Sequence, residues 1–317
     1  MSGPVGFGVI GCGSYGRVHA ELISSLGPDL RLVAVADAET ARAADVAARL
    51  GCAASRDLEE LYGRQDVDAV TVCVPHGLHA DVVVAALEAG KHVLVEKPLE
   101  IDLESAERIV EAERRSGRVV GVMSQRRFEP AARAAADRVA AGELGRLTGG
   151  LAHTVAWRDQ EYYDATAWRG SLEVEGGGAL MTLGVHALDL LLWLLGDPVE
   201  AQAQAGCLAH ERIEVEDTIV GSIRFASGAI AGITATTAAY PGLPPRVAVF
   251  GDRGTVVIPV DPDERAAVRA QYHDFVAAMA NGRKPLVDTD AGLRVLATVL
   301  ALYESARTGK AVPVAWT

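Results

Sequence analysis

The sequence predicts an α/β fold in two parts: a doubly wound parallel sheet over residues 1–124, then an α+β domain over 125–317 with a mainly antiparallel sheet. Three observations lead there. Short apolar runs alternate with helical stretches through the first part, each run stopping on a polar residue or proline. A glycine-rich turn follows the first run. Beyond Met123 the strand-helix rhythm gives way to runs with a period of two. The 317 residues exceed one ordinary core, and half are apolar. Thirty basic against 42 acidic residues give a net charge of −12. No Lys/Arg run offsets it, so nucleic acid is not an expected partner.

Phe7 to Ile10 reads as a strand running into Gly11-Cys12-Gly13-Ser14-Tyr15-Gly16, with a helix from Arg17 to Leu26. Strand, glycines and helix in that order form a dinucleotide fingerprint. Gly11 permits the tight turn, Gly13 lets backbone N–H groups approach a pyrophosphate, and Gly16 allows close helix-strand packing. Leu30 to Ala36 is the second strand. Asp37 ends it about 20 residues beyond Gly16, where a carboxylate meets the adenosine ribose hydroxyls. A 2′-phosphate would face a like charge there, so NAD is favoured over NADP.

Thr40 to Leu50 is a helix closed by Gly51. Ala69 to Val74 is a strand ending at Pro75-His76-Gly77-Leu78-His79, which puts Val74, Pro75, His76 and His79 beside the expected cofactor crevice. A helix, Ala80 to Ala89, returns to His92-Val-Leu-Val-Glu96-Lys97-Pro98-Leu99. The apolar triplet suits a strand buried on both faces, and Pro98 ends its pairing. Glu96 and Lys97 then project at the carboxyl edge of the sheet, where ligands bind. Lys97-Pro98 is a candidate cis bond. Asp102 caps a helix through Ser116, and Val119 to Met123 is a further strand.

After Met123 a polar link leads to a helix, Ala131 to Ala141. Leu147–Trp157, Val199–Leu208, Thr218–Phe225, Ala229–Thr237, Val247–Gly251 and Thr255–Val260 read as an antiparallel set, followed by helices at about Asp263–Asn281 and Asp290–Thr308. The polar alternation in Ala201 to Ala205 leaves one sheet face to water or to a second copy of the chain, so a homodimer or homotetramer through that face is expected. Gly176-Gly177-Gly178 leads into a long helix, whose amino end is read as open to a ligand. Thr182 and His186 share a face on it, with Asp189 placed to orient the imidazole. Histidine titrates in the range needed to take a proton from a hydroxyl, and Lys97 can hydrogen-bond the same oxygen. Trp157, Arg158, Tyr162, Tyr163 and Trp168 lie in a loop-rich stretch suited to covering a substrate.

The four cysteines (Cys12, Cys52, Cys73, Cys207) are scattered without Cys-x-x-Cys spacing and read as free buried thiols of a reducing cytoplasm. No metal site is expected. The amino terminus lacks the basic stretch of a signal peptide, and no run is read as long enough to span a membrane.

Together these residues resemble the Gfo/Idh/MocA oxidoreductases, which include inositol dehydrogenases and glucose-fructose oxidoreductase. The likeness covers essentially the whole chain. It rests on Gly11, Gly13 and Gly16, Pro75 with His79, Gly90 to Pro98, Trp168-Arg169, and Gly176 to His186 with Asp189. It implies a nicotinamide-binding Rossmann domain followed by a domain with a large open sheet. It also implies that Lys97 and His186 act at the substrate carbon, that Glu96 lies near the nicotinamide ribose, and that Trp168 and Arg169 meet the cofactor. Arg169 also reads as a contact for a substrate anion. Many polyol-oxidising relatives carry Asp-x-x-x-His on this helix. Thr182 stands in the Asp position here and can hydrogen-bond a substrate hydroxyl, but it leaves any charge beside His186 to Asp189. The expected reaction is reversible oxidation of a secondary alcohol on a sugar, inositol or similar polyol. Lys97, Arg158, Tyr163, Thr182 and His186 are the candidate substrate contacts. The alternatives are NADPH-dependent reduction of a diketone or activated double bond, as in dihydrodiol dehydrogenase or biliverdin reductase relatives, and a non-catalytic dinucleotide and sugar sensor.

Overall fold

The computed structural model describes residues 3–166, 168–259 and 263–316. One unit holds Met1–Glu100, Glu104–Met123 and Val268–Gly292; the other holds Ile101–Leu103, Ser124–Ala267 and Leu293–Thr317.

The sheet of the first unit comprises β1 (Val5–Ile10), β2 (Leu30–Ala36), β3 (Ala53–Ala54), β4 (Ala69–Val72), β5 (His92–Val95) and β6 (Val120–Val122). Every pairing is parallel, in the order β3-β2-β1-β4-β5-β6. The winding therefore reverses between β1 and β4, the switch point at which such sheets take ligands. Helices α1 (Ser14–Ser25), α2 (Thr40–Leu50), α4 (His79–Glu88) and α5 (Leu103–Ser116) follow their strands, and Gly51 closes α2 in the left-handed conformation. Phe7, Val9, Val35, Val70, Val93 and Leu94 are fully buried, as continuous apolar runs covered on both faces require.

Two pieces of this unit escape the sequence reading. One is β3 with the short helix α3 (Leu58–Gly63), which Asp57 caps by accepting the Glu60 N–H. The other is the return of Val268–Gly292 to this unit, where Tyr272 and Phe275 set their rings 5.6 and 6.3 Å from that of Phe7. The Lys97–Pro98 bond is cis, as is Tyr240–Pro241.

In the second unit α6 (Pro130–Ala140) precedes β7 (Leu147–Trp157), and the short helices α7 (Gln160–Asp164) and α8 (Leu172–Glu175) lead to a π-helical turn, Leu180–Gly184, and α9 (Val185–Leu195). The remaining strands are β8 (Pro198–Gly206), β9 (Thr218–Phe225), β10 (Ile230–Thr236), β11 (Ala238–Gly251), β12 (Thr255–Pro259) and β13 (Val312–Pro313). Val260, read as the end of the last long strand, lies outside the described residues. The order is β12-β11-β7-β10-β9-β8-β13, antiparallel throughout except for the parallel pair β7–β10. Helix α10 (Arg265–Asn281) and helix α11 (Thr289–Thr308) complete the chain.

One sheet face buries Ala152, Ile219, Ile223, Ile233, Val247 and Val249, while Leu151, Val220, Ile230 and Val257 are exposed. Helix α9 packs on β7 and β11, and a Cβ on Gly150 would lie 2.7 Å from Leu191. The expectation that no run could span a membrane is corrected here. Leu172–Leu195 is long and apolar enough by length and composition, but 78% of its apolar window is buried inside the structure. Its hydrophobicity is that of a core helix covered by its own sheet.

Candidate functional site

The loops at the carboxyl ends of β1, β2, β4 and β5 carry the predicted nucleotide residues. Gly11 has φ +90°, and a Cβ there would lie 2.5 Å from the Cys73 carbonyl oxygen in the loop after β4. A Cβ on Gly16 would strike the Gly11 carbonyl oxygen at 1.7 Å. Both glycines are thus fixed by backbone packed against backbone. Gly13 differs: it precedes α1, and a Cβ on it meets nothing within 4 Å. Its open side at a helix amino terminus fits a pyrophosphate. Ser14 and Tyr15 are exposed on the first turn.

Asp37 Oδ2 accepts the Cys12 N–H at 2.6 Å and Oδ1 the Glu39 N–H at 2.8 Å. The carboxylate therefore holds the glycine turn in place and keeps further lone pairs for ribose hydroxyls. The Cys12 thiol, buried beside it, is pushed up to about 12, by desolvation first and Asp37 second. All four cysteines are free, but only Cys12 is buried, and Cys207 is exposed. The reading of four buried thiols is corrected, because the sequence carries no sign of which small-residue segments reach the surface.

Val74, Pro75 and His76 are half-buried in the loop after β4. His79 is not a surface for a cofactor. Its ring is fully buried, with Nδ1 2.9 Å from the Pro98 carbonyl oxygen and Nε2 3.1 Å from that of Val74. Burial lowers its pKa. The neutral ring donates to one of these carbonyls and packs against the other, so it is a buried wedge between the loop after β4 and the loop after β5.

Glu96 and Lys97 are half-buried where β5 ends. Glu96 Oε2 accepts the Lys97 N–H, and Oε1 lies 2.8 Å from His19 Nε2. His19 Nδ1 lies 2.8 Å from the Tyr272 hydroxyl, itself 2.9 Å from Thr71 Oγ1. Thr71, Tyr272 and His19 are buried. With Nε2 donating to the carboxylate, Nδ1 can accept from the Tyr272 hydroxyl, whose oxygen in turn accepts from Thr71, so every member of the chain has a partner. Sequence reasoning missed both His19 and Tyr272. His19 follows the glycine turn on α1 and carried a faint signal, while Tyr272 carried none.

The second unit corrects the reading of the glycine-led helix. Glu216 accepts the Gly178 N–H at 2.8 Å, the Leu180 N–H at 2.9 Å and the Tyr303 hydroxyl at 3.0 Å. Cβ atoms on Gly176, Gly177 and Gly178 would strike Ile101, Tyr303 and the Glu216 carbonyl. These glycines admit the protein's own side chains, and the carboxylate at the helix amino end is Glu216. Burial raises its pKa against the pull of those backbone donors.

Thr182 lies in the π-helical turn and donates its hydroxyl to the Gly178 carbonyl at 2.8 Å. His186 is the second residue of the regular helix and is half-buried like Thr182. Both oxygens of Asp189 are engaged by Arg127, from Nε at 2.8 Å and Nη2 at 2.6 Å, and the Ser124 hydroxyl donates to it as well. Asp189 therefore anchors the helix to the segment that opens this unit.

Tyr163, a predicted substrate contact, is buried, with its hydroxyl 2.8 Å from Thr237 Oγ1 and its ring 4.8 Å from that of His210. It is a core anchor, since the helical turn Gln160–Asp164 rotates it inward and leaves Tyr162 partly outside. Arg158, Trp168 and Arg169 are half-buried, and both guanidinium groups lie over the Tyr162 ring.

Comparison with known proteins gives three family matches. Residues 5–124 match an oxidoreductase family with an NAD-binding Rossmann fold, residues 132–257 a GFO/IDH/MocA C-terminal domain, and residues 257–315 an oxidoreductase C-terminal alpha/beta domain. A 1,5-anhydro-D-fructose reductase of Ensifer adhaerens is 32% identical, over 81% of this chain and 83% of its own. An inositol 2-dehydrogenase of Saccharopolyspora erythraea is 31% identical, over 97% and 95%. The WlbA dehydrogenase of Bordetella pertussis, solved in complex with NADH and UDP-GlcNAcA, superposes with a TM-score of 0.92 at 30% identity, covering 99% of this chain and 100% of that one.

Proposed function

Because the chain belongs to the GFO/IDH/MocA oxidoreductase family, whose first domain is an NAD-binding Rossmann fold, we propose that it transfers hydride between NAD and a secondary alcohol of a sugar, inositol or related polyol. The observation that carries this reading is the turn at the β1/β4 switch point, open at Gly13 and pinned by the Asp37 carboxylate. When bound, the nicotinamide ring supplies the hydride acceptor. Gly11, Gly13, Ser14, Tyr15 and Gly16 cradle the pyrophosphate, Asp37 takes the ribose, and Val74, Pro75 and His76 border the dinucleotide. Glu96, held by His19, is assigned to the nicotinamide ribose and Trp168 to the cofactor. Lys97 stabilises the alkoxide as it forms, His186 accepts the hydroxyl proton, and Thr182 accepts a hydrogen bond from the substrate. The same reading gives residues 1–124 to nucleotide binding and 125–317 to substrate binding and assembly. It places the enzyme in a reducing cytoplasm, which the four free thiols support. The exposed Leu151, Val220, Ile230 and Val257 support a homodimer or homotetramer through the open sheet face. A fluorescence titration with NADH and NADPH, followed by an NAD-linked screen of inositols and aldoses, tests the reading. NADH binding with turnover of a polyol is the expected outcome; tighter binding of NADPH, or no turnover across the panel, would overturn it.

A further inference from the structure

We infer that Tyr272 and His19 are positioning residues that orient the Glu96 carboxylate for the nicotinamide half of the dinucleotide, leaving the adenosine half to Asp37 and the glycine turn; this rests on the nucleotide assignments above and deepens them. Four groups stand in one line. Thr71 Oγ1 on β4 lies 2.9 Å from the Tyr272 hydroxyl on α10, and that hydroxyl lies 2.8 Å from His19 Nδ1 on α1. His19 Nε2 lies 2.8 Å from Glu96 Oε1, where β5 has just ended.

An ionised Glu96 fixes the direction of the line. Two acceptors cannot face each other at 2.8 Å, so Nε2 carries a proton, and in the neutral ring Nδ1 is left to accept from Tyr272. The tyrosine oxygen then accepts from Thr71. Every donor points toward the carboxylate, an alignment in which each bond strengthens the next. Glu96 Oε2 accepts the Lys97 N–H at 3.1 Å. One such contact permits rotation about it; a second, on the other oxygen, sets the plane of the carboxylate.

The line serves orientation rather than stability. His19, Thr71 and Tyr272 are all buried, and apolar side chains of the same shape at all three would fill that space at little or no cost. Packing keeps the tyrosine from swinging. Its ring is edge-on to Phe7 at 5.6 Å and to His19 at 5.8 Å, and Phe7 belongs to the strand that enters the glycine turn. The contacts of Asp37 with the Cys12 and Glu39 N–H groups share no member with this line. The two ends of the dinucleotide are therefore served by separate networks, and each can be weakened alone.

Calorimetric titration of the full-length protein with NADH and with ADP, which lacks the nicotinamide ribose, tests the assignment. Tyr272→Phe is expected to weaken NADH binding about threefold and His19→Leu about tenfold, with ADP affinity within about twofold of wild type in both. His19→Gln, which retains an N–H for the carboxylate, is expected to recover part of the loss. In a Glu96→Ala background His19→Leu is expected to add nothing. Circular dichroism reports folding, and should His19→Leu not fold, Tyr272→Phe alone decides. Equal weakening of NADH and ADP, unchanged NADH affinity in the folded variants, or a full His19→Leu effect without Glu96 would overturn the assignment. Failure of the wild-type protein to bind NADH would instead remove the dehydrogenase reading itself.

Discussion

Asp37 and Glu96 show how one carboxylate serves backbone and ligand together. Each spends an oxygen on the N–H of its own loop, so its position is fixed before a nucleotide arrives. Asp37→Ala removes a charged acceptor and the support of the Cys12 turn, and NADH affinity is expected to fall about tenfold or more in a fluorescence titration. Tyr272→Phe takes away only the hydroxyl between His19 and Thr71. Two buried polar atoms then lose a partner, and a loss of about 1–3 kcal/mol in urea denaturation is expected. His92 gives the pH dependence. Its Nδ1 accepts the Val119 N–H at 3.0 Å, and burial lowers its pKa from 6.5 to about 4. The unfolded chain binds that proton first, so His92 contributes stability that is fully present above pH 6.5 and is lost as pH falls through 4. His92→Asn is expected to flatten the denaturation midpoint across that window relative to wild type. The glycine turn after β1 and the proline that ends β5 could be read from spacing alone, because glycine and proline act through the backbone within a few positions. Tyr163 and His79 could not, since inward or outward facing depends on where a short helical turn begins.

At the scale of elements, the π-helical turn and α9 are held by acidic side-chain contacts at the start and midway along. Glu216 takes two N–H groups at the start, and Arg127 clasps Asp189 further on, with Arg127 Cζ 5.5 Å from the Trp193 ring. Glu216→Ala leaves those donors buried without an acceptor and is expected to cost about 2–4 kcal/mol in urea denaturation. Asp189→Asn breaks a buried ion pair, and a loss of about 3 kcal/mol or more is expected. The glycines before this helix looked like a ligand cradle in sequence, and the cradle is real, but Glu216 and Tyr303 fill it from 38 and 122 residues or more along the chain. No local pattern encodes a partner that far away. The strands were legible where apolar runs or alternation were long. β3 and β13, of two residues each, have too few positions to show a period.

For the whole molecule, the order of the parallel sheet follows from strand-helix alternation and right-handed crossovers, which is why the nucleotide end was legible early. The return of Val268–Gly292 to the first unit was not, because its helix has the same composition as any other amphipathic segment. The exposed sheet face of the second unit makes assembly testable. Light scattering at assay concentration is expected to report a dimer or tetramer, and Val220→Lys to shift it toward monomer. Hydride transfer itself is tested most directly with the best alcohol from the NAD-linked screen, deuterated at its carbinol carbon. Mass spectrometry of the isolated NADH is expected to find the deuterium on the nicotinamide ring, whereas NADH formed without the label, or no NADH from any alcohol tested, would contradict it.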